Sequence, residues 1–121
     1  MADGDSKASL EELVGRVFAT RDASHLAHWK TKSFAKHMAL GDLYDALPDE
    51  IDGIVEAYQG AKGLIRTGAD EPSLIRHLEQ EAAWIAKNRE GIANGVPSVL
   101  NMIDGLHARY VTALYKLKNL D

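Results

Sequence analysis

His25 and His28 stand three residues apart, a spacing that turns two side chains towards the same side of a helix. Further along come His37 and the pair Asp52 and Glu56, whose spacing of four stacks two carboxylates on one flank of a helix. Imidazoles and carboxylates gathered in this way are ligands for divalent iron, and the same donors serve manganese or zinc. The chain has no cysteine, so thiolate ligation and disulfides are excluded and any metal falls to His, Asp and Glu. Each residue taken singly also has an ordinary reading. A lone His on an apolar face is commonly a hydrogen-bonded core residue, and Asp52 with Glu56 is commonly a solvated flank. His77 and His107 lie outside the pattern, and Trp29 and Tyr44 read as packing residues.

The spacing of these residues sets a geometric condition. Fifteen residues separate His37 from Asp52, a rise of about 22 Å along one helix, so the two cannot hold one ion within a single chain. If two copies of that helix pack antiparallel about a two-fold axis near Asp45 and Ala46, His37 of one copy approaches Asp52 and Glu56 of the other. Such a dimer carries two identical sites, each shared between subunits.

The elements that must position these residues are helices. Apolar residues recur at spacings of three and four almost throughout, with only three prolines and no strand candidate. Met1–Ala8 is short and polar and reads as a mobile tail; residues 9–121 read as one four-helix domain. The first helix starts at Ser9, with Glu12 completing a capping box, and turns Leu10, Leu13, Val14, Val17 and Phe18 inward. The second runs from about Phe34 to Gln59 with a bend at Pro48, burying Leu40, Leu43, Tyr44, Leu47, Ile51, Ile54, Val55 and Tyr58. Glycines 60, 63 and 68 mark a linker. The third helix begins near Asp70–Ser73 and closes at Gly91, Asn94 and Gly95, burying Leu74, Leu78, Ala82, Ile85 and Ile92. The last runs from Pro97 to about Leu117, with Leu100, Ile103, Leu106, Tyr110, Val111, Leu114 and Leu117 inward.

Composition narrows the function classes. The formal charge of −4 and pI near 5.7 lack the overall basic field that accompanies nucleic-acid binding. The N-terminal run MADGDSKAS has no signal-peptide pattern, and no window approaches the roughly 20 apolar residues of a membrane span. These features predict an intracellular, soluble protein.

The run Ser24 to Gly60 resembles Dps proteins of the ferritin-like superfamily. His25-Leu26-Ala27-His28-Trp29 matches their H-x-x-H-W, and His37, Leu43-Tyr44 and Asp52-x-x-x-Glu56 match, in order, the second-helix pattern. The resemblance extends to short Dps-like proteins encoded by tailed bacteriophages, carried by HWKTKSFAKHMALG. It implies a ferritin-like four-helix bundle of antiparallel helix pairs, with a crossover between the second and third helices. It also implies a ferroxidase site shared between subunits, with iron, di-iron or mononuclear, held by His28, His37, Asp52 and Glu56. His25 and Asp42 stand as auxiliary ligands. Iron oxidation by peroxide or oxygen, iron storage and oxidative protection follow, as do a homodimer as minimum unit, a larger shell, and the host cytoplasm for a phage-encoded member.

Several features depart from the pattern: the loop between His28 and His37 is shorter than in typical Dps proteins, and the linker after the second helix is too short and glycine-rich for the extra small helix they place at the dimer interface. Dps proteins carry an acidic ligand four residues after the second-helix His, where this chain has Gly41. Asp42 is adjacent but turned about 100° around the helix, so either it substitutes after a local shift or the site lacks one ligand. The lysine-rich tail through which many Dps proteins bind DNA is replaced by one in which Asp3 and Asp5 outnumber Lys7, which argues against DNA binding. The alternative from a different class is a ferritin-like structural or interaction protein, for example of a phage, without turnover.

Overall fold

The computed structural model describes residues 8–120, and the stretch read as a tail lies, but for Ala8, outside them. Among the described residues the chain is all-α, with four helices and no strand: α1 (Leu10–Lys30), α2 (Phe34–Lys62), α3 (Glu71–Ala93) and α4 (Pro97–Asn119). None is long and apolar enough to cross a membrane. α1 pairs with α2 and α3 with α4, giving two compact helical hairpins that divide at Thr67 and Gly68.

Local chemistry explains the bounds. The Ser9 side chain accepts the Glu12 N–H at 3.0 Å, capping α1 as expected, while the Glu12 carboxylate pairs with Arg16 one turn on. The first reversal needs only Thr31, Lys32 and Ser33. Thr31 donates its N–H to Ala27, its hydroxyl accepts the Ser33 N–H, and the Ser33 hydroxyl accepts from Lys36 to start α2. α2 runs unbroken through Pro48 and ends at Lys62, three residues beyond the expected Gln59, because Gly60 and Ala61 stay helical. The linker is therefore shorter than its glycines suggest. Gly63, at φ 101°, leaves the helix in a conformation that favours glycine. The Gln59 side chain then accepts the Ile65 N–H, and the Glu11 carboxylate accepts the Arg66 N–H at 2.9 Å. That bond holds the Glu11 carboxyl below its ordinary range.

The first hairpin is joined by a narrow seam with coiled-coil spacing. On α1 the seam follows Leu10, Val14, Val17, Arg21, Ser24 and His28, alternating by four and three. Leu13 and Phe18, expected inward, are exposed on its two sides, and the polar Arg21 and Ser24 take their place. Ser24 is buried without penalty because its hydroxyl donates to the Thr20 carbonyl at 2.6 Å. The α2 side presents His37, Leu40, Tyr44, Leu47, Ile51 and Val55, and Ile51, 2% exposed, is its best-packed residue. Leu43, Ile54 and Tyr58, also expected inward, flank the seam and stay exposed.

The second hairpin repeats this plan. Asp70 caps α3 by accepting the Ser73 N–H, a bond that lowers its carboxyl pKa, and Pro72 stands in the first turn. Asn94, left-handed at φ 48°, and Gly95, at φ 81°, turn the chain into Pro97 and α4. Ala82, Ile85 and Ala93 are buried, while Leu74, Ile92, Leu106 and Val111 are exposed at the sides. Two ion pairs tie the helices together. Arg89 grips Asp104 with two parallel bonds of 2.6 and 2.5 Å, and Lys118 pairs with Glu79.

Candidate functional site

His28 stands in the last turn of α1 and His37 in the first turn of α2, and the three-residue reversal sets them face to face. Their rings stack with centroids 3.6 Å apart and planes within 23°. His28 Nδ1–H donates to the His37 carbonyl at 2.7 Å, and His37 Nδ1–H donates to the His28 carbonyl at 2.9 Å. A carbonyl oxygen can only accept, so both rings must carry their proton on Nδ1. In the neutral form Nε2 is then the basic atom of each. A histidine whose Nδ1–H is held by a backbone carbonyl is oriented for ligation through Nε2.

The aromatic cluster continues along α1. His25 lies flat on Tyr44, with centroids 3.8 Å apart and planes 9° from parallel, and Trp29 tilts against His25 at 4.5 Å. Tyr44 meets the edge of His28 at 5.1 Å, and the Arg21 guanidinium sits 5.8 Å from the Tyr44 centroid, within cation–π range. The ring of His25 is thus engaged with Tyr44. Trp29, by contrast, is 69% exposed and lines a shallow surface cleft with Arg21, Asp22, His25 and Leu26.

Of the six residues singled out by sequence, the structure brings together His25, His28 and His37. Asp42, Asp52 and Glu56 are all exposed on α2. Because α2 is one continuous helix, Asp52 stays about 22 Å along the axis from His37. Among the described residues, no three His, Asp or Glu side chains are grouped closely enough to hold a metal ion within one chain. The Nδ1–H bonds leave each imidazole a basic Nε2, whereas Asp52 and Glu56 lie too far along α2 to share an ion with His37 of the same chain. Sequence reasoning missed Arg21 and Ser24 as seam residues and missed the Arg89–Asp104 clamp, whose partners stand on different helices. The signal available for Arg21 and Ser24 was their place in the 10-14-17-21-24-28 progression.

Comparison with known proteins adds relatives without adding chemistry. No solved structure matches the chain. A stretch of 53 residues, 44% of the chain, is 40% identical to an uncharacterised 14.6 kDa protein from the mobD–ri intergenic region of Enterobacteria phage T4, and covers 41% of that protein. A broader match comes from the profile of a family of unknown function (DUF5856), which spans residues 28–117, from His28 itself through most of α4. That is more than half of the chain, and the protein belongs to this family.

Proposed function

We propose that this protein binds Fe²⁺ at a site shared between two copies, as a ferritin-like protein of the Dps type. The observation that carries the reading is the pair of Nδ1–H bonds, which leaves the His28 and His37 Nε2 atoms as the basic nitrogens. The second copy would bring Asp52 and Glu56 to His37, and their exposure leaves them available to it. His25 and Asp42 are auxiliary, His25 through the Tyr44 stack and Asp42 from the exposed side of α2. Iron is the substrate. Two Fe²⁺ ions give up one electron each, and hydrogen peroxide with two protons takes both to become two waters, so oxidation at the site would consume peroxide and yield Fe³⁺ for storage. Manganese and zinc suit the same donors.

In this reading the two hairpins form the antiparallel pairs of a ferritin-like four-helix bundle, and dimers build a larger shell. The site itself needs only the first hairpin and its copy. Kinship with a phage T4 protein supports a phage setting, in which the host cytoplasm supplies the iron. Anaerobic Fe²⁺ titration followed by peroxide tests the proposal. Stoichiometric binding with rapid oxidation, lost in His28→Ala and Asp52→Ala, is the expected result; absence of binding ends it.

A second reading rests on the same pair of hydrogen bonds. His28 and His37 also close the hairpin mechanically, which is enough for an interaction module without turnover. A protein that is monomeric by light scattering and binds no iron would favour that reading.

A further inference from the structure

Gly41 follows His37 by one turn on α2, and the space above its α-carbon is filled by an imidazole. A β-carbon at position 41 would lie 3.2 Å from His28 Cε1 and 3.4 Å from His28 Nδ1. The other helical glycines differ: Gly15, Gly53, Gly60, Gly91 and Gly105 have nothing within 4 Å of the same construction. A glycine inside a helix costs stability relative to alanine, and among the described helical glycines only Gly41 has a close approach that makes use of the missing side chain. The atom nearest that gap after Cε1 is Nδ1, the atom that donates to the His37 carbonyl.

We infer that Gly41 is a positioning residue for His28, admitting the Cε1–Nδ1 edge of the ring close to α2 so that Nδ1 carries the proton and Nε2 the lone pair. For its functional meaning this rests on His28 being a metal ligand; the positional claim itself concerns the metal-free protein. A side chain at position 41 would crowd the ring that stacks on His37, so His28 would have to give by a few tenths of an ångström.

The test is made on the metal-free full-length protein by long-range ¹H–¹⁵N correlation of the imidazoles at about pH 9, above the ordinary histidine range. In the native protein His28 and His37 are expected as Nδ1–H tautomers. Gly41→Ala should shift the His28 tautomer towards Nε2–H with helicity unchanged, whereas Gly15→Ala should leave both rings as they are. Retention of Nδ1–H at His28 in Gly41→Ala, or Nε2–H at His28 in the native protein, overturns the inference.

A thermal cycle covers the case in which Gly41→Ala folds poorly. Alone, Gly41→Ala should fail to raise the melting temperature as Gly15→Ala does; in a His28→Ala background, where the obstructing ring is gone, it should raise it. If Gly41→Ala still lowers the melting temperature in that background, the conflict is not with His28 and the inference fails. Fe²⁺ titration is read separately. Correct tautomers without iron binding would sink the metal reading and leave the role of Gly41 standing.

Discussion

His28 and His37 each donate a ring N–H to the backbone carbonyl of the other, and their rings lie in contact at 3.6 Å between centroids. The pair therefore spends two side chains on joining α1 to α2 where apolar residues would serve. Removing one ring leaves a half-buried carbonyl without its donor and exposes the face of the other ring. His28→Ala or His37→Ala should each cost about 1–3 kcal/mol in urea unfolding. The double variant should lose less than the sum by roughly 0.5 kcal/mol or more, because the stack can be lost only once. Strict additivity would show that the rings do not support each other.

A site shared between copies makes a prediction that a single-chain site does not. His37→Ala and Asp52→Ala should each abolish Fe²⁺ oxidation alone. Mixed in equal amounts and reassembled, they should recover about a quarter of the native sites, since half of the dimers are mixed and each mixed dimer has one intact site. No recovery from the mixture, in a preparation shown to exchange subunits, would exclude sharing.

The Arg89–Asp104 clamp gives the second hairpin an acid-sensitive link. Hydrogen bonding to the guanidinium holds the Asp104 carboxyl below its ordinary range, with Arg89 raised in turn, and the charges of Arg89 and His107 act in the same direction on Asp104. A carboxylate with a depressed folded pKa stabilises the fold above its unfolded value, about 3.9, and loses that contribution as pH falls through the folded value. Thermal melts of the native protein should therefore steepen in their pH dependence below about pH 4. Asp104→Asn should remove that part of the slope; an unchanged acid profile would show that the clamp adds nothing.

Two backbone positions separate space from conformation. Gly105 has nothing near its missing β-carbon and lies within α4, so Gly105→Ala should stabilise by about 0.5–1 kcal/mol. Gly95 has equal room but stands at φ 81°, so Gly95→Ala should destabilise by about 1–2 kcal/mol. Chemical denaturation of the two variants beside the native protein checks both signs.

Ile51 concentrates the packing of the first hairpin. At 2% exposure it has no water to expand into, and Ile51→Ala should cost about 2–5 kcal/mol. A cost below 1 kcal/mol would mean that the seam collapses freely around it.

The helices were legible in the chain because their ends carry local chemistry. Ser9 and Asp70 cap where their side chains can reach backbone N–H groups three residues on, and Asn94 and Gly95 turn where positive φ is tolerated. The second helix continues through Pro48, as its apolar spacing indicated, but the end at Lys62 was not readable because glycine permits either outcome. Burial was less legible. Leu13 and Phe18 lie near the seam by hydrophobicity, yet the pairing of α1 with α2 turns Arg21 and Ser24 inward. In the candidate site, the identity of the histidines could be read, but their reciprocal bonds could not, since these depend on how a three-residue reversal sets two helix ends. Gly41 looked like a missing ligand for the same reason: sequence shows what a glycine lacks, not what occupies the space.

The bond from the Arg66 N–H to Glu11 also fixes the length of a tether. Measured from that anchor, only five residue steps remain before α3 begins at Glu71, a reach of about 17 Å at full extension, whereas α3 itself is about 34 Å long. A crossover running the length of a helix cannot be drawn from Arg66 while Glu11 holds it. Freed at that point, the connection gains the residues back to Gly63 and reaches about 28 Å at full extension, still less than the length of α3. A crossover of the ferritin type would thus require both the release of the Glu11 carboxylate at the start of α1 and further residues drawn from the end of α2.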